Sequence, residues 1–197
     1  MKHHHLAIAL CAGTFLLSGD SASAQSKDAK VLKATDFPHD SSKFYVDKNW
    51  LAINPDKNKE AEIRTPFPFP SGNYDIVLRA VGESDGNSQY WISRNDEQIG
   101  HFSCPLSDAM FAEGKKFNAL FENVKIEKGD AISVKAKVGT DGSEFSRGRW
   151  ASLSFVPVGK GKAELAVASV KSTKQPPSKK PHGQTTFTKT IPTRITS

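Results

Sequence analysis

Between residues 61 and 158 apolar and polar positions alternate with period two, in short runs broken by turn-forming residues. Such alternation marks strands with one face on a core and the other toward solvent. The first clear run, 74–81 (YDIVLRAV), lies between Ser71-Gly72-Asn73 and the polar stretch from Gly82 to Asn87. Next come 89–94 (QYWISR), a turn at Asn95-Asp96-Glu97, and 98–103 (QIGHFS). The run 117–126 is longer, and Asn123 near its middle predicts a bulge. After a turn at Lys128-Gly129-Asp130, the segment 131–138 alternates most cleanly. Ile132, Val134, Ala136 and Val138 share one face, with Ser133, Lys135 and Lys137 on the other. The last run, 150–158, predicts Ala151, Leu153 and Phe155 on one face. Residues 65–70 (TPFPFP) lack three amide donors and suit only an edge strand or an extended lead-in. No stretch of this region sustains a helical period. Many short strands at turn-punctuated intervals predict an all-β, antiparallel β-sandwich.

Strand parity carries this reading to a site. If successive strands run antiparallel, the connections at 82–88, 104–116 and 139–148 gather at one end. The turns at 95–97 and 127–130 gather at the other. Long loops held on a rigid scaffold are the usual place for recognition.

The flanks differ from this middle. Met1-Lys2 and three histidines precede an apolar stretch from Leu6 to Leu17, and Ser21-Ala22-Ser23-Ala24 places small residues before Gln25. This is the pattern of an export signal cleaved after Ala24, with an apolar core too short to anchor in a membrane. No apolar run reaches the ~18–20 residues of a spanning helix, which excludes a multi-pass membrane protein. Residues 25–60 read as polar, with a solvated loop at 56–60 (DKNKE). The 197-residue chain has two cysteines, too few for a disulfide scaffold or a cysteine-rich zinc site. After cleavage Cys104 is the lone thiol, expected buried and inert. Residues 25–158 hold 18 Lys+Arg against 19 Asp+Glu, whereas 159–197 hold 8 Lys+Arg against Glu164. The net charge of +6 therefore belongs to the tail, and does not point to a nucleic-acid surface on the folded part. That tail, with Gln175-Pro176-Pro177-Ser178-Lys179-Lys180-Pro181, is too poor in apolar residues to offset its ordering entropy and is expected to be disordered. Its cations offer contacts to polyanions, or serve only as a soluble linker.

The stretch Ser71-Gly72-Asn73-Tyr74-Asp75-Ile76-Val77-Leu78-Arg79-Ala80 resembles the "G-x-Y-x-hydrophobic-x-hydrophobic-R" strand of carbohydrate-binding modules of the family 6 and 35 type. The likeness continues at Ile99-Gly100, from Asn123 to Ile126, from Lys128 to Val134 and from Ala151 to Phe155; Val31 to Phe37 resembles the first strand. The resemblance implies a galactose-binding-like jelly-roll sandwich and non-catalytic binding of glycans. Those modules usually hold a structural calcium through a glutamate in the first strand and an aspartate opening the last. Thr35 and Ala151 stand there in this chain, so no metal or other cofactor is expected. Arg149 stands where the family has a sugar-contacting asparagine. A guanidinium there favours carboxylated or sulfated sugars.

Five residues form the candidate ligand site: Glu83, Asp85, Arg147, Arg149 and Trp150. An indole stacks on the CH face of a sugar, guanidinium groups donate to hydroxyls or carboxylates, and Gly148 allows close backbone approach. The structural alternative makes Trp150 core and pairs the arginines with Glu83, Asp85, Asp141 or Glu144. Phe145 and the pair Tyr90-Trp91 are the other aromatics expected near the site. His101, in a strand, is expected to be half-buried and structural. No His-Glu-x-x-His or P-loop motif occurs, and no catalytic residue is assigned. The sequence thus predicts an exported, non-catalytic binder of polysaccharide, or alternatively an envelope sandwich with structural or protein-interaction duties.

Overall fold

The structure is a computed structural model and describes residues 28–159. The expected signal segment, with Cys11, and nearly all of the basic tail lie outside the described residues. Ten strands follow in order: β1 (Lys30–Lys33), β2 (Phe44–Asp47), β3 (Trp50–Ile53), β4 (Glu60–Pro66), β5 (Gly72–Val81), β6 (Gln89–Arg94), β7 (Glu97–Ser103), β8 (Lys116–Ile126), β9 (Ala131–Lys137) and β10 (Trp150–Pro157). Two 3-10 turns, Ala34–Asp36 and Phe111–Glu113, are the helical elements among the described residues. No helix there is long and apolar enough to cross a membrane.

The strands form two antiparallel sheets. One has the order β2-β3-β10-β5-β8, with β1 also paired to β10; the other has the order β4-β9-β6-β7. Their inner faces supply the core: Ile76, Leu78, Leu153 and Phe155 from the first, Ile63, Tyr90, Ile92 and Val134 from the second. The proline-rich run behaves as its missing donors require. β4 is an edge strand ending at Pro66, and Phe67 then turns inward, 5.0 Å from Phe155 and 5.4 Å from Tyr74 between ring centroids. Asn95 and Asp96, both at positive φ, make the two-residue hairpin between β6 and β7. Asn123 has a φ of 53° beside a register shift between β5 and β8, the expected bulge.

Two expectations are corrected. The segment 25–60 is not simply polar: besides β1, which the resemblance at Val31 to Phe37 anticipated, it contributes β2 and β3, and all four residues of β3 are buried. The strands were too short to announce themselves. In β10, Leu153 and Phe155 point inward but Ala151 does not. A register shift between Trp150 and Ser152 adds a residue there and turns Ala151 to the outer face.

Candidate binding site at the loop end

The three long connections do share one end of the sandwich. Ser84 N donates to Ala109 O at 3.1 Å and Gly82 N to Lys115 O at 2.9 Å, joining the first loop to the second. Arg147 N donates to Glu83 Oε1 at 2.9 Å, joining the first to the third. Backbones touch where these loops meet. A Cβ on Gly86 would lie 2.2 Å from Thr140 N, and one on Gly139 would lie 2.4 Å from Asn87 N. The tight turns meet at the other end, where Asn95 Nδ2 donates to Asp130 Oδ1 at 2.7 Å.

All five candidate residues lie at this loop end, but not as a sugar cleft. Glu83, Arg149 and Trp150 are 0, 2 and 0% exposed. Trp150 packs edge-on against Phe37 at 5.3 Å, so it has no face for a pyranose. Arg149 spends its guanidinium internally: Nη1 donates to Glu83 Oε2 at 2.7 Å, Nε to Asp47 Oδ2 at 3.1 Å and Nη2 to the Tyr45 hydroxyl at 3.0 Å. Glu83 Oε2 also accepts from Phe111 N at 3.1 Å. A carboxylate with three donors and a guanidinium with three acceptors satisfy the requirement for burying charge. Together they rivet β2, the start of β10 and all three loops. The Arg149 carbonyl in turn accepts from the buried Tyr90 hydroxyl at 2.9 Å. Burial raises the Tyr45 phenol, opposed in part by the charge of Arg149.

Of the five, Arg147 alone keeps a partly exposed side chain, and Asp85 lies buried beside it. Their charged atoms are 4.0 Å apart. Asp85 Oδ1 is buried without a hydrogen-bond donor. Of the other acidic loop residues, Asp141 is bound locally. Its carboxylate sits below the usual range because the amides of Glu144 and Ser143 donate to it. Among the described residues no three His, Cys, Asp or Glu side chains gather as metal ligands. Thr35 and Ala151, at the calcium positions of the resemblance, line a groove without a carboxylate, a donor set that does not fit a hard cation.

The aromatics also sort differently. Tyr90 is core, whereas Trp91 lies on the outer face of the four-stranded sheet, 4.8 Å from the ring of half-buried His101. Phe145 is capped by Lys59 Nζ at 3.4 Å. The rim aromatic is Phe111, which the sequence reading missed. It is exposed, its φ is +56°, and the Arg147 and Arg149 guanidiniums lie 4.5 and 5.3 Å from its ring. A bulky residue in the left-handed region is costly, and nothing in an irregular loop sequence signals it. Tyr45 and Asp47 were missed with strand β2. Cys104 is buried as expected, and burial pushes its thiol up to about 12.

No family model matches the chain. Over 133 residues it is 47% identical to the uncharacterized protein P23 of Formosa agariphila, a match covering 67% of this chain and 32% of that protein. The chain thus spans about a third of the length of this curated relative. Among solved structures it is similar to the CBM36-1 domain of a multidomain xylanase from the hindgut metagenome of Trinervitermes trinervoides. The TM-score is 0.50 at 14% identity, over 66% of this chain and 98% of that one. The chain has the fold of a carbohydrate-binding module. The C-terminal CBM6 of LamC, a marine laminarinase from Zobellia galactanivorans, aligns at a TM-score of 0.46 and 13% identity, over 65% of this chain and 98% of that one. The module fold accounts for the antiparallel sandwich and its loop-bearing end. The buried Glu83–Arg149 network is what this chain has built there.

Proposed function

We propose that the chain is an exported, non-catalytic carbohydrate-binding module whose ligand, an acidic glycan, sits at the loop end. The observation that carries the reading is an exposed apolar rim. Leu106, Met110 and Phe111, all on the loop between β7 and β8, are three of the six exposed large hydrophobic side chains among the described residues. The Phe111 ring lies 4.5 Å from the guanidinium of the partly exposed Arg147, which is available to a carboxylate or sulfate and has the buried Asp85 carboxylate 4.0 Å away. Apolar rim and charged floor match the two faces of a sugar ring, and the strained Phe111 backbone is the kind of cost retained at binding sites. A non-catalytic role is supported by Glu83, whose carboxylate is committed to structural donors. Export is supported by the sequence from Leu6 to Ala24.

One observation favours the second reading, a structural or protein-interaction sandwich: Glu83, Asp85, Arg149 and Trp150 are all buried. Affinity electrophoresis against neutral and acidic polysaccharides separates the two. Retardation by an acidic glycan should fall about tenfold or more in Phe111→Ala/Arg147→Ala, with circular dichroism unchanged. A folded chain retarded by no polysaccharide, whose rim instead captures an envelope protein, would establish the second reading.

A further inference from the structure

The connection between β7 and β8 is held from beneath and keeps its apolar side chains outside. Ser107 N donates to Glu83 O at 3.3 Å, and Ser107 Oγ to Gly82 O at 2.6 Å. Phe111 N donates to Glu83 Oε2 at 3.1 Å, and a Cβ on Gly114 would lie 2.0 Å from Gly82 O. These anchors tie the loop to the connection between β5 and β6. Around them Leu106, Met110 and Phe111 are all exposed, Leu106 and Met110 by 52 and 44%. One exposed apolar side chain is ordinary; three within a short, anchored loop make a patch that the fold presents outward.

The patch is larger than a saccharide uses. A pyranose sets its CH face on a planar ring, and Phe111 offers one beside the Arg147 guanidinium. Leu106 and Met110 have no flat face. Their branched and flexible aliphatic chains match the acyl region of a lipid better than a sugar. Charge then separates kinds of lipid. Residues 104–116 carry Asp108 and Glu113 against Lys115 and Lys116, two acids against two bases, a balance of zero. Lys116 Nζ donates to Ala112 O at 2.8 Å, and Glu113 pairs with Lys48 at 3.3 Å. Attraction to a plain anionic phospholipid surface takes a cluster of cations, which this loop lacks. The partly exposed Arg147 is instead a single directed donor for a carboxylate or sulfate. A saccharide carried on a lipid offers both, with its acid on the sugar and acyl chains directly beneath.

We propose that the ligand of the loop end is an acidic glycolipid in a membrane. Its charged saccharide lies on Phe111 and Arg147, and its lipid meets Leu106 and Met110. Asp108, exposed on the same tip, keeps the contact at the boundary of headgroups and acyl chains. The inference rests on the loop-end reading and adds what carries the glycan.

Sedimentation of the full chain with vesicles tests it. The vesicles are phosphatidylcholine alone, or with a sialylated or a sulfated glycosphingolipid, or with phosphatidylglycerol at equal charge; binding of the free headgroup saccharides is measured by calorimetry. The unmodified protein should bind one of the glycosphingolipid vesicles about tenfold more tightly than the phosphatidylglycerol ones. Leu106→Ser/Met110→Ser should weaken vesicle binding about tenfold more than it weakens binding of the free headgroup. Phe111→Ala/Arg147→Ala should weaken both. Equal weakening of the two by Leu106→Ser/Met110→Ser would mean that these side chains touch only sugar, and would overturn the inference while the loop-end reading stands. So would retardation by a soluble acidic polysaccharide with no vesicle binding. Phosphatidylglycerol vesicles bound as tightly would reduce the effect to the charge of the tail and also overturn it. A chain that binds neither vesicles nor any acidic polysaccharide would sink both readings.

Discussion

The interior of the loop end and the outer face of the six-stranded sheet both carry arginine, and they use it in opposite ways. Arg149 is surrounded by Glu83, Asp47 and Tyr45, and every one of its donor nitrogens meets an acceptor. Arg79 stands in a row with Lys33 and no acid. In the first place the guanidinium is a structural bolt whose charge is cancelled where it is buried. In the second the charge is exposed to solvent with no acid lining the groove beside it. A conspicuous arginine in a loop is therefore a weak sign of recognition until its acceptors are known.

Removing one partner from each region breaks the comparison most directly. Glu83→Ala leaves Arg149 buried without its closest acceptor and orphans the amides of Phe111 and Arg147. It should cost about 3–5 kcal/mol in urea unfolding. Arg79→Ala should stay within ~0.5 kcal/mol. Equal costs would mean that the groove charges also hold the fold together.

A smaller effect tests whether the loop end is one packed unit. In Gly86→Ala the new methyl would meet the Thr140 backbone at 2.2 Å, so the first and third loops must part. A loss of about 1–3 kcal/mol is expected, with early hydrogen exchange at the amides of Arg147 and Phe111. Unchanged exchange there would show that the loops fold independently.

The smallest effect lies on the other sheet and serves as a reference for both. Burial lowers the His101 pKa below its ordinary 6.5. The unfolded chain then takes up a proton near pH 6.5 that the folded chain resists, so stability present above that pH is lost as pH falls through the folded value. Thermal melts from pH 8 to 5 should show this slope, and His101→Phe should flatten it. A slope unaltered by His101→Phe would assign it to other groups.

Strands β5, β6, β7, β8, β9 and β10, the bulge at Asn123 and the gathering of three loops at one end were all legible in the sequence. Period two and turn residues are local signals, and antiparallel parity follows from counting. β2 and β3 were not legible, since four-residue strands flanked by lysines and aspartates carry too little alternation. The five candidate residues were correctly brought to one end, but their exposure could not be read. Trp150 and Arg149 are adjacent in sequence, and whether each faces water depends on a register shift and on Tyr45 and Asp47, about a hundred residues away. Phe111 and the Lys33–Ser152–Arg79–Asn118 row became visible only in three dimensions. Alternation along a strand is a property of neighbours in the chain. Which charges are cancelled and which are left over is a property of neighbours in space, and that decides where a ligand can bind.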